Sequence, residues 1–105
     1  MSENTIYSVE ISDAALTMLD SHVAFLAKVN INAAIKLMDE ILDDIASLSE
    51  HPERYPAYHN RFVSDSRYRK MLSMGRYLVL YEVGSNTVSV DYIVDCRQDY
   101  EWLIQ

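Results

Sequence analysis

"YLVLYEVGSNTVSVDYIV", residues 77–94, decides the fold. Its first seven residues are aromatic, aliphatic or β-branched with one charge, Glu82, which is the make-up of a buried strand. Gly84, Ser85 and Asn86 follow, and these residue types tolerate the positive φ that a tight hairpin needs. Residues 87–94 then alternate, placing Val88, Val90, Tyr92 and Val94 on one face against Ser89 and Asp91 on the other. The stretch therefore predicts two antiparallel strands joined by a short turn.

Upstream of it, residues 67–73 suit another strand, and Ser73 to Gly75 a turn. Before residue 60 the period changes from 2 to 3.6. Leu16, Leu19, Val23 and Leu26 fall at spacings of 3, 4 and 3, one apolar stripe of a helix that Ser12 or Asp13 can cap. Asn30 and Asn32 break that helix and can cap the next. There Ala34, Met38, Ile41, Ile45 and Leu48 repeat at 4, 3, 4 and 3. Two amphipathic helices with so short a join predict an antiparallel hairpin.

His51-Pro52 closes the second helix, because proline lacks the N–H and disfavours helical geometry before it. Residues 5–11, TIYSVEI, read as an opening strand, and the tail RQDYEWLIQ could add a short turn of helix. The expected order is β-α-α-β-β-β: a single α+β domain over residues 1–105, with a helical hairpin on one face of a small, mainly antiparallel sheet.

Composition bounds the function. The 105 residues are half hydrophobic, with two glycines and two prolines, and carry a net charge of −7. Such a chain folds compactly and is neither disordered nor repetitive. No apolar run approaches the roughly 20 residues of a membrane span, and the start MSENTIYSVEIS has no basic region leading into an apolar core. A cytoplasmic protein without membrane contact is expected. Cys96 is the single cysteine, so no internal disulfide can form.

The charge is unevenly spread. Residues 1–50 hold only Lys28 and Lys36 against nine carboxylates. Residues 61–76 hold Arg61, Arg67, Arg69, Lys70 and Arg76 against Asp65 alone. Bulk charge repels nucleic acid, but the local field governs contact within about 8 Å. On a strand Arg67, Arg69 and Met71 share one face, so two guanidiniums about 7 Å apart, with Arg76 at the turn, could clamp phosphates. Neighbouring tyrosines could stack on bases. Equally, Arg67 and Arg69 could pair with acids such as Asp65 or Asp99, or guard an edge strand against unwanted pairing.

Other chemistry is poorly represented. His22, His51 and His59 have no ligand spacing, and Cys96 has no partner cysteine or nearby histidine, so neither a metal nor a nucleophilic thiol is expected. Gly75 and Gly84 stand alone and make no phosphate loop. No cofactor is expected. Asp39, Glu40, Asp43 and Asp44 include like-charge i,i+4 pairs that cost a few tenths of a kcal/mol each. They read as a solvated face, or as a surface that meets a basic partner.

The element order, the pattern Arg69, Leu72 and then Tyr77 to Val83, the "HPERYP" connection and the ending VDCRQDYEWL together resemble RelE/ParE toxins, the toxin halves of bacterial type II toxin–antitoxin pairs. The resemblance spans nearly the whole chain. It implies a cognate antitoxin, a toxin–antitoxin hetero-oligomer and a plasmid-stabilisation type of role. Family members either cleave mRNA on the ribosome or inhibit DNA gyrase by binding.

By resemblance to the nuclease branch, Arg69, Arg76 and Arg97 would carry positive charge to the phosphate, and Asp99 or Tyr100 would transfer protons. Met71 and Leu78, however, stand where that branch places basic residues, and Asp99 where it has histidine. An ordinary aspartate, with a pKa of about 3.9, is a weak base at neutral pH. The expected function is therefore closer to ParE: a toxin that binds an essential target, DNA gyrase, through Arg67, Arg69, Lys70 and Arg76. The alternatives are a ribosome-dependent mRNA endonuclease and a non-toxic member that only binds antitoxin.

Overall fold

The structure, a computed structural model, describes residues 6–60 and 67–97. The expected C-terminal turn of helix, and Arg61, Asp65, Asp99 and Tyr100, lie outside these residues. Strand β1 (Ser8–Ile11) leads into helices α1 (Asp13–Ala27) and α2 (Ile31–Ala46); then come two short 3-10 turns and strands β2 (Arg69–Ser73), β3 (Tyr77–Val83) and β4 (Thr87–Asp95). The sheet order is β1-β4-β3-β2, with β1 parallel to β4 and the other pairs antiparallel. This is the expected α+β arrangement.

Local chemistry sets the element ends. Ser12 Oγ accepts the Ala15 N–H at 3.0 Å, and Asn30 Oδ1 accepts the Ala33 N–H at 3.0 Å, each satisfying an otherwise orphaned donor at a helix start. His51, at φ 49°, leaves the helical path immediately before Pro52. Met74 and Gly75 both take positive φ, 57° and 67°, and the Arg76 N–H closes onto the Ser73 carbonyl at 3.2 Å. That is the conformation of a primed hairpin turn, which matches the twist of the strands it joins.

β3 is central and covered on both faces. On one side Val79 and Tyr81 pack with Leu19, Leu37, Ile41 and Ile45 of the helices. On the other, Leu78 and Leu80 pack with Tyr58, Tyr68 and Val94. Five successive residues of β3 are buried, so alternation disappears from the sequence there.

Two expected faces are corrected. Leu16 is 41% exposed, and Ala15, fully buried, takes its place beside Leu19. A small residue there lets the start of α1 lie close to β4, where the Ser12 N–H donates to the Val90 carbonyl at 2.9 Å. In β4, Val88, Val90, Tyr92 and Val94 do not share a face. Leu80 pairs with Tyr92 but Tyr81 pairs with Val90, leaving Asp91 as an extra residue. This β-bulge reverses the alternation. Val88, Val90 and Ile93 face the helices, while Tyr92 and Val94 join the opposite cluster.

Asp91 is also a junction. Its carboxylate accepts the Tyr68 hydroxyl at 2.9 Å and the Ser89 hydroxyl at 3.0 Å. Burial first, and this hydrogen bond second, hold the Tyr68 phenol protonated far above its ordinary range. Among the described residues, no helix is long and apolar enough to cross a membrane.

Candidate binding site on the basic segment

Arg69 opens β2 opposite Tyr81, on the face that meets the helices. Its Nη1 donates to the Tyr55 carbonyl at 2.6 Å and to the Glu53 carbonyl at 3.2 Å. The guanidinium thus clips the irregular connection after α2 to the sheet. The Tyr81 hydroxyl adds a second clip by donating to the Pro52 carbonyl, and burial pushes its phenol up to about 12. Backbone bonds from the Tyr58 N–H to the Tyr68 carbonyl and from the Lys70 N–H to the Pro56 carbonyl complete the seam.

Arg67 does not stand beside Arg69. It precedes β2, its Nε lies 3.9 Å from Glu82 Oε1, and its guanidinium rests 4.9 Å from the centre of the Tyr68 ring. Glu82 follows Tyr81 and so points to the opposite face from Arg69's neighbour. The parallel clamp expected from strand alternation is absent because regular pairing begins only at Arg69.

Arg76 and Arg97, by contrast, are brought together. Arg76 donates through Nε and Nη2 to Asp95 Oδ2 at 3.1 and 2.9 Å and lies over the Tyr77 ring at 5.0 Å. Arg97 approaches Asp95 Oδ1 with Nε at 3.6 Å, and its backbone N–H donates to the same oxygen at 3.0 Å. Asp95 is only 4% exposed. Burial alone would raise its carboxyl; the hydrogen bond from Arg76, the Arg97 N–H and the two guanidinium charges outweigh that and hold it below the usual range. The same hydrogen bond raises Arg76.

Lys70 differs from the arginines. It is exposed on the sheet face away from the helices and has no ion-pair partner among the described residues. Met71 and Leu78 are both core residues, one in each apolar cluster. The expected proton-transfer pair, Asp99 and Tyr100, lies outside the described residues.

Two features escaped the sequence. Asp95 organises Arg76 and Arg97, but as one acid among many it carried no signal. His22 ties α1 to the sheet: its Nε2 is 2.9 Å from the Ile93 carbonyl and its ring is 5.2 Å from that of Tyr77. Asp44, expected on a solvated face, instead accepts the Ser73 hydroxyl at 2.6 Å. Among the described residues no three His, Cys, Asp or Glu side chains gather where a metal ion could sit.

The helical hairpin carries a second surface. Ile31, Ile35, Met38 and Leu42 fall at spacings of 4, 3 and 4 along α2, outside the buried stripe. Ile31 and Ile35 are 61% and 56% exposed. With Val23 and Ala27 of α1, Ile31, Ile35 and Met38 line an apolar groove of about 270 Å3 with Asp39 at its rim.

Comparison with known proteins places this arrangement. The family model described as "ParE toxin of type II toxin-antitoxin system, parDE" matches residues 9–100. No curated protein matches the chain. Among solved structures it is similar to a chain of "Chromosomal ParDE TA system from P. aeruginosa", with a TM-score of 0.70 and 13% identity over 87% of this chain and 97% of that one. At that identity the likeness is one of fold.

Proposed function

The chain belongs to the ParE toxin family of type II toxin–antitoxin systems, and from that premise we propose that it arrests growth by binding DNA gyrase and is neutralised by a cognate antitoxin. The observation that carries binding over cutting is the state of the basic segment. Arg69 is engaged by two backbone carbonyls, and Arg76 and Arg97 share the buried Asp95. A phosphoryl-transfer centre needs uncommitted charge aimed at the developing oxyanion. Here Met71 and Leu78 fill core positions instead. Lys70, exposed and without an ion-pair partner among the described residues, suits recognition.

The antitoxin reading draws support from the helical hairpin. Its apolar groove beside Asp39, Glu40 and Asp43 fits an amphipathic helix with basic flanks, since such a helix fills the groove and neutralises the carboxylates.

Inducing the chain alone in bacteria, while following DNA and mRNA separately, tests the proposal. The expected result is growth arrest with DNA damage signalling and intact mRNA, relieved by a small protein encoded beside the gene. Cleavage of mRNA at codon boundaries would overturn it in favour of the ribosome-dependent nuclease. Normal growth on induction would leave only antitoxin binding.

A further inference from the structure

The outer apolar residues of α2 keep the spacing of a seam. Ile31, Ile35, Met38 and Leu42 recur at 4, 3 and 4, the alternation with which helices pair side by side. They lie beside the buried stripe of Ala34, Leu37, Ile41 and Ile45, and the core leaves most of them uncovered. Ile31, Ile35 and Leu42 are 61%, 56% and 37% exposed, and the groove against α1 continues the same surface.

Charge is sorted along the same axis. Lys28 and Lys36 stand toward the join of the hairpin, and Asp39 and Asp43 toward the other end of α2. At about 100° per residue, Lys36, Asp39 and Asp43 flank the seam on the side away from the core. Lys36 approaches Glu40 of its own helix at 3.8 Å, but both are exposed and such a pair contributes little. A second α2 laid parallel would set like charges together. Laid antiparallel, it brings bases to acids.

We propose that α2 pairs with α2 of a second copy of this chain, antiparallel across a two-fold axis between Lys36 and Leu37. That axis sets Ile31 on Leu42 and Ile35 on Met38, twice each, because both pairs are centred on the same point. Lys36 then lies within a turn of Asp39 of the second copy on each flank. A two-fold interface must complement itself, and an apolar seam with bases at one end and acids at the other meets that condition. The 16 residues of α2 give a contact about 24 Å long that buries about 1,000 Å2, the size of a weak, reversible interface. The antitoxin helix inferred above fits the same groove and would displace the second copy. Pairing is measured on the chain alone, so its failure and those of the antitoxin and gyrase readings are distinguishable.

Sedimentation velocity of the full chain at physiological ionic strength should show a monomer–dimer equilibrium with a midpoint of about 10–100 µM. Ile35→Glu, an exposed change that leaves the core intact, should raise that midpoint at least about tenfold by placing charge in the seam. Lys36→Glu and Asp39→Lys should each weaken pairing about fivefold or more, two exposed ion pairs being lost. An equimolar mixture of the two should pair as the parent does, since each supplies the charge the other lacks. Direction is read by disulfide trapping after the single, exposed cysteine is removed by Cys96→Ser. Ile31→Cys mixed with Leu42→Cys should cross-link, and neither alone should, because like positions lie about 16 Å apart along the pair, beyond disulfide reach. A chain that stays monomeric up to millimolar concentration would overturn the proposal and leave the groove to the antitoxin helix. A dimer indifferent to Ile35→Glu, or cross-linking of Ile31→Cys to itself, would overturn it equally.

Discussion

Ser73, fully buried at the end of β2, donates its hydroxyl to Asp44 of α2 at 2.6 Å. The bond joins the helical layer to the sheet at the point where the chain turns toward β3. A hydrogen bond to a charged acceptor contributes about 1.5–3 kcal/mol. Ser73→Ala and Asp44→Asn should each lower unfolding free energy by about 1–2 kcal/mol. The double variant should lose less than the sum, and urea titration of the four proteins measures the coupling.

Asp95 should govern the acid limb of stability. Its folded pKa lies below the unfolded value near 3.8, so in the interval between them the unfolded chain binds more protons and stability rises with pH. Above that interval the contribution is fully present; it is lost as pH falls through the folded value. Asp95→Asn should cost about 2 kcal/mol at neutral pH by leaving Arg76 unpaired. It should also flatten the dependence below about pH 4, read by urea midpoints across pH.

Met74 occupies the left-handed region at φ 57° with no glycine's freedom. Asparagine followed by Gly75 is the preferred pair for such a turn. Met74→Asn should raise the thermal midpoint by about 2–5 °C, since the strain relieved is of order 1 kcal/mol and the lost side chain is already 41% exposed.

Arg69 should behave first as a structural residue. Arg69→Ala removes two bonds to the carbonyls of Glu53 and Tyr55 and should cost about 1–2 kcal/mol. It should also free the connection, so that trypsin cuts after Arg54 several-fold faster than in the parent. Loss of toxicity with an unchanged cutting rate would instead assign Arg69 to target contact.

Much of this fold can be read from residue order. β3 is legible to the residue because Gly75 and Gly84 bracket a run of strong strand formers. Both helix starts are legible because Ser12 and Asn30 are the residue types that cap. The bulge is not, since an extra residue in β4 changes pairing without changing composition, and Asp91 looks like any outward-facing acid. Nor is Ala15: an apolar stripe can be drawn through Leu16 as easily, and only the closeness of α1 to β4 chooses between them.

The candidate site is less legible still. Strand alternation puts Arg67 and Arg69 on one face only if pairing extends to both, and it stops at Arg69. The partners of Arg69 are carbonyls of an irregular connection, which side-chain chemistry does not foretell. Charge composition located the basic segment but not its neutralisation, because Asp95 and Glu82 approach across the sheet rather than along the chain.

The placement of β1 has a consequence for how the molecule comes to be made. Its partner in the sheet is β4, with Ser8 beside Thr87, so the strand that leaves the ribosome earliest waits for one of the latest. The three-strand meander closes short loops, whereas docking β1 closes one of roughly eighty residues, the costlier event in chain entropy. A nascent chain halted before residue 87 has its helices and an orphan strand but no sheet edge to receive it. The complete four-stranded sheet therefore exists only once synthesis has passed β4.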